Sequence, residues 1–177
     1  MRALLAALAL ALAATLAAAQ SVVPLPAALV AELPALKPLG EGRLRWFGLH
    51  VYDSSLWVPG EAWSFERPFA LDIRYAMSIK GRDLTERSLV EMKRLGYTDR
   101  EKLGRWESEM DRVFPDIKAG DRLVGLSVPG REARFYSQDR FLGTVADPEF
   151  ARAFFSIWLD PATSEPKLRA QMLRIDR

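Results

Sequence analysis

Apolar and polar residues alternate from Phe69 to Met77: Phe69, Leu71, Ile73, Tyr75 and Met77 share one side, and Asp72 and Arg74 fall on the other. Successive side chains of a strand point to opposite faces, so this pattern predicts a half-buried strand. Shorter alternating runs predict strands over Arg122–Val128, Glu132–Ser137 and Arg140–Val145, with Pro129-Gly130 and Gln138-Asp139 as the reversals between them. Arg43 to Tyr52 reads RLRWFGLHVY, whose aromatic and β-branched content predicts one strand. Ser54–Val58 reads as another. Gly40-Glu41-Gly42 is expected to turn the chain before these strands, and Pro59-Gly60 to end them.

Between the strands the period changes. Leu89, Met92 and Leu95 form an apolar stripe at helical spacing, after a capping box at Asp83-Leu84-Thr85-Glu86. A second box, Thr98-Asp99-Arg100-Glu101, precedes Leu103, Trp106, Met110 and Val113. Gly96-Tyr97 separates the two helices, and Phe114-Pro115 ends the second. Asp147 is placed to cap a third helix with Pro148 at its first position. Phe150, Phe154, Ile157 and Trp158 then face the core. A last helix is expected over Glu165–Leu173, capped by Ser164. Strands on both sides of a helical block predict an α+β fold: an antiparallel sheet with a layer of helices on one face.

The N-terminus belongs to none of this. Met1-Arg2, an Ala/Leu run from Ala3 to Leu16, and Ala17-Ala18-Ala19 have the order of a secretory signal, cut after Ala19. The expected location is therefore periplasmic or secreted. The run is short for a membrane span, which needs about 20 apolar residues, and no later window is apolar enough, so no span is expected once the signal is removed. Residues 20–38 are rich in Pro and Ala, with Pro24, Pro26, Pro34 and Pro38 limiting helix to a turn at Ala27–Leu33. Residues 39–177 fit one domain.

Composition narrows the chemistry. The chain has no Cys and a single His, His50, which excludes a Cys- or His-rich metal site. The formal charge is +2, and loss of Arg2 lowers it to +1. Without a Lys/Arg stripe, nucleic acid is not an expected partner. No dinucleotide, P-loop or nucleophile-elbow motif occurs, so no cofactor is implied.

Four segments in order carry a resemblance: GEGRLRWFGLHVYDSSLWV, ALDIRYAMSIKGRDL, KAGDRLVGLSVPG and FLGTVADPEFARAFFSIWLD. Together they resemble the chalcone isomerase-like family, in its bacterial exported branch. The resemblance implies an open-faced sheet–helix sandwich with a cleft between a long strand and two helices. It also implies that an isomerase would carry an Arg before that strand, a Thr on it, and a Tyr and an Asn on the first helix. Such groups would hold a phenolate and polarise a ketone oxygen. Here the Thr position falls on Phe47, the Tyr position near Lys80 and the Asn position near Arg87, and Leu33–Leu36 contains no Arg. The positions that set specificity fall on Ile157 and Trp158. No catalytic residue is carried over.

The expectation is a non-catalytic protein that binds a small apolar or amphipathic, lipid-like molecule. Arg45, Phe47, Lys80, Arg87, Ile157 and Trp158 are its candidate ligand-binding residues. Arg45 shares a strand face with apolar neighbours and is suited to grip a carboxylate. Two alternatives stand beside this reading. One is an isomerase or lyase with a different site, built on His50 with Tyr52 or Arg45. The other is a periplasmic scaffold for protein interaction. The plainer reading of His50 is a sheet histidine bonded to a neighbour, and that of Asp72 and Arg74 a solvated or surface-paired polar face.

Overall fold

The computed structural model describes residues 23–175 except positions 34 and 139. The expected export signal, residues 1–19, lies outside the described residues, as does Asp139 of the Gln138-Asp139 reversal. Six strands follow one another in space as they do in sequence: β1 (Lys37–Trp46), β2 (Leu49–Val58), β3 (Phe69–Tyr75), β4 (Arg122–Val128), β5 (Glu132–Ser137) and β6 (Phe141–Val145). Every neighbouring pair is antiparallel. The α+β architecture expected from the alternating pattern is the one observed.

The first two strands differ from expectation. Arg43–Tyr52 is not one strand but the two arms of a hairpin, closed by Phe47 and Gly48 with φ of 47° and 81°. Two successive positive φ values are what a two-residue turn matched to sheet twist requires. Glycine adopts that region freely and phenylalanine does not. The Gly40-Glu41-Gly42 segment lies inside β1 and is not a turn. Its glycines allow the last helix, α5 (Pro166–Leu173), to cross the strand: a Cβ on Gly40 would meet the Met172 carbonyl oxygen at 2.4 Å.

Three more helices pack on the same face: α2 (Gly81–Arg94), α3 (Arg100–Val113) and α4 (Pro148–Leu159). Asp147 caps α4 as expected, its Oδ1 accepting from Glu149 and Phe150 N–H at 2.8 and 3.0 Å. Asp99, not Thr98, caps α3. Asp83 falls within the first turn of α2, whose Gly81 N–H is satisfied across the fold by Asp116 Oδ1 at 2.9 Å. Before α5, Thr163 rather than Ser164 accepts the Glu165 N–H. Phe154 centres the core, ringed by Phe135, Phe114, Phe155 and Trp158 at 5.2–5.7 Å between ring centroids. Such tilted and edge-on contacts add to the gain from burying aromatic area.

The opposite sheet face is partly covered too. Residues from Val23 onward, with the short α1 (Ala27–Glu32), lay Leu25, Leu29 and Leu36 on Trp57, Val124, Leu126 and Tyr136. Beside them Asp72 is buried, not solvated, and its partner is Arg122 rather than Arg74. The guanidinium meets both carboxylate oxygens at 2.6 Å. It also donates to the Pro24 and Val23 carbonyls at 2.6 and 3.2 Å. Buried charges are tolerated when paired and hydrogen-bonded in this way.

Candidate functional site

β2 and β3 pair so that Tyr52 stands opposite Tyr75, rings edge-on and 5.9 Å apart. Both side chains point toward the helical layer. Period two brings Ile73 to the same surface, and β4 adds Leu123. Over this floor, α2 presents Leu84 and Ser88, and α4 presents Phe154, Ile157 and Trp158. The two layers do not close on each other. A cavity of about 350 Å³ remains between them. The exposed members of its lining, Trp46, Met77, Asp83, Arg87 and Ser164, mark the opening.

The interior is apolar with few polar groups. Trp158 Nε1 donates to the Tyr52 hydroxyl at 2.8 Å. Burial pushes the Tyr52 phenol well above its usual range, the Trp158 bond opposing it. Burial does the same to Tyr75, helped by Tyr52 beside it. Both phenols are therefore neutral at physiological pH.

The charged residues of the lining, Asp83, Arg87 and Glu91, stand on α2, with Glu165 at the N-cap of α5. Glu91 on α2 has only 5% of its side chain exposed and is held by Arg87 at 2.5 Å and Arg94 at 2.7 Å. Arg94 also donates to the Ala162 carbonyl at 2.7 Å, tying α2 to the loop that carries Ser164 and Glu165. Glu165 has its carboxyl raised, by burial first and Glu91 second, with Arg87 opposing. Arg87, two-thirds exposed, is thus a cation at the cleft rim between two carboxylates. Apolar walls, neutral phenols and a rim guanidinium suit an apolar body with an acidic end.

Of the six residues expected to meet a ligand, three line this cleft: Arg87, Ile157 and Trp158. Lys80 is exposed at the N-cap of α2 and does not line it. Phe47 sits at the hairpin tip, 89% exposed, because the strand expected to carry it into the cleft turns there instead. Arg45 lies on the opposite sheet face, donating to the Gly48 carbonyl at 3.2 Å. That face holds a larger, charged concavity of about 740 Å³, where Arg43 is already paired with Asp53 at 2.6 Å. His50 lines neither space, and its Nε2 lies 3.2 Å from Asp53. Tyr52 is therefore not joined by His50 or Arg45 in one pocket. Sequence reasoning passed over Tyr75, Glu91 and Glu165. A signal for Glu91 existed: a carboxylate between Leu89, Met92 and Leu95, with arginines at positions 87 and 94.

Among the described residues no group of His, Cys, Asp and Glu is placed to hold a metal, and no helix is long and apolar enough to cross a membrane. A protein of Haemophilus influenzae, itself uncharacterized, is 31% identical over 138 residues, covering 77% of this chain and 67% of that one. The crystal structure of an Arabidopsis thaliana fatty-acid binding protein, AtFAP1, superposes with a TM-score of 0.60 at 12% identity, covering 78% of this chain and 87% of that one. At that identity the likeness concerns the fold. Residues 17–174 match the family model described as chalcone isomerase-like. With nearly the whole chain matched, the protein belongs to the chalcone isomerase-like family.

Proposed function

We propose that this is an exported, non-catalytic family member that holds one small amphipathic acid, of fatty-acid type, in the cleft. The observation that carries this is the combination of an apolar cavity of about 350 Å³ with a single accessible guanidinium, Arg87, at its rim. That volume is at the lower end of ligand sites, about 300–1,000 Å³, which favours a short or medium chain. The tail lies against Ile73, Phe154 and Ile157, the acid faces Arg87, and the Tyr52 and Tyr75 hydroxyls offer neutral donors. The fatty-acid binding described for AtFAP1, which shares the fold, supports the ligand class. The cleft lining holds no His and no Lys, and His50 stands outside it beside Asp53, which supports the non-catalytic reading.

The test is calorimetric titration with decanoate and decanol. Decanoate binds the wild-type protein, and Arg87→Gln weakens decanoate more than decanol. Ile157→Trp fills the cavity and removes both. Failure of both ligands to bind, or binding unaffected by Ile157→Trp in a folded variant, sinks the proposal. Export rests on the segment Met1–Ala19. Its check is N-terminal sequencing of the protein from a periplasmic fraction, which begins at Gln20 if the signal is read correctly.

A further inference from the structure

The hairpin tip between β1 and β2 has a composition its own fold does not explain. Trp46, Phe47 and Leu49 are 65%, 89% and 65% exposed. β1–β2 pairing continues to Trp46 and Leu49, so the tip is a braced projection and not a loose loop. Phe47 occupies the first turn position at φ 47°, where Asn or Gly is favoured. The rings of Trp46 and Phe47 pack on each other, 4.9 Å between centroids. That contact joins two exposed side chains and leaves Phe47 facing solvent in a strained turn position.

We propose that this tip inserts into the interface of an anionic lipid bilayer and seats the cleft opening on the membrane surface. Three observations select a bilayer over other partners. First, Trp, Phe and Leu on a projection are the side chains that lodge at the headgroup–acyl boundary. Second, the chain from Gly42 to Tyr52 carries Arg43 and Arg45 and no carboxylate, and Arg45 adjoins Trp46 directly behind the apolar tip. Arg43 and the nearest acid, Asp53, pair with each other at 2.6 Å, which leaves Arg45 as the cation without an ion-pair partner among the described residues. That arrangement complements anionic headgroups. Third, three side chains offer at most roughly 750 Å² even at the upper end of the about 150–250 Å² of a large aromatic. A stable protein interface needs about 800 Å² per partner. Trp46 belongs to both the tip and the cleft lining, and Met77, 41% exposed, shares the opening with it. Insertion of the tip therefore brings the opening to the lipid. The inference stands on the tip and does not require the cleft's occupant to be an acid.

Co-sedimentation of the processed protein with vesicles tests it, using phosphatidylethanolamine with phosphatidylglycerol against phosphatidylcholine alone. The expected result is binding to the anionic vesicles that weakens with salt. Phe47→Asn places a residue that tolerates the turn, so the fold is kept and thermal unfolding is unchanged or slightly raised. That variant should lower vesicle partitioning about tenfold or more, the scale of withdrawing one Phe from an apolar phase. Decanoate binding in solution should not change, which separates this test from that of the cleft. Absence of vesicle binding, or equal binding by Phe47→Asn, overturns the proposal. So does lipid-free self-association in ultracentrifugation that Phe47→Asn abolishes, which would assign the tip to a second copy of the chain.

Discussion

The indole N–H of Trp106 on α3 donates to Asp147 Oδ2 at 2.9 Å, while Oδ1 of the same carboxylate caps α4. One side chain thus fixes the start of α4 and its contact with α3. Asp147→Ala removes the cap, worth about 1 kcal/mol, and leaves the buried Trp106 N–H unpaired, costing a further 1–3 kcal/mol or so. Denaturant unfolding should show a loss of roughly 2–4 kcal/mol. Burial alone would raise the Asp147 carboxyl, but the Trp106, Phe150 and Glu149 N–H groups outweigh it and hold it below the usual value. A lowered native value stabilises above the unfolded value, near 3.9, and this share disappears as pH falls through the lowered one. The gap between wild type and Asp147→Ala should therefore narrow in acid.

Strand and helix assignments from Phe69 onward were largely legible because their causes are local. Alternation over Phe69–Tyr75 and the Asp147-Pro148 cap need only neighbours in sequence. The misses have distant causes. Gly40 and Gly42 read as a turn because nothing nearby reveals that Met172 and Leu168 press on them. The true turn was masked by Phe47, an aromatic where turn chemistry favours Asn. That error moved Phe47 into the expected cleft, whereas Ile157 and Trp158 on a regular helix were placed there correctly. Asp72 looked solvated because Arg122 lies 50 residues further along the chain and the segment over it comes from the far N-terminal side.

Asp72→Ala leaves Arg122, 3% exposed, without its carboxylate. Breaking a buried pair from one side costs about 3–5 kcal/mol. Since Arg122 also holds the Val23 and Pro24 carbonyls, the N-terminal segment should loosen as well. Limited proteolysis should then cut before Leu36 faster than in wild type. A double variant, Asp72→Leu with Arg122→Leu, should regain most of the stability, since no charge is left buried. Equal stability of Asp72→Ala and wild type would show that the pair is not desolvated.

Gly40→Ala is a test of close packing. The added Cβ would lie 2.4 Å from the Met172 oxygen and 2.6 Å from the Gln171 oxygen, both backbone atoms of α5. Backbone yields less easily than a flexible side chain, so α5 must shift. A cost of about 1–3 kcal/mol is expected for such overpacking. Gly104→Ala, where a Cβ meets nothing within 4 Å inside α3, should instead stabilise, by about 1 kcal/mol. Thermal unfolding of the two variants should move in opposite directions.

Glu165 at the cleft rim has a raised carboxyl, burial and Glu91 together outweighing Arg87. A raised native value for an acid means that the ionised form is disfavoured by folding. The penalty is absent below the unfolded value, near 4.3, and complete above the raised native one. Glu165→Gln should therefore match wild type near pH 4 and exceed it in thermal midpoint at pH 7. The same charge repels an acidic ligand facing Arg87. Decanoate affinity of wild type should rise as pH falls through the raised Glu165 value, until decanoate itself is protonated. Glu165→Gln should bind decanoate more tightly at pH 7 and lose that pH dependence, with decanol indifferent to both changes. A flat wild-type profile would mean that the acid does not sit beside Glu165.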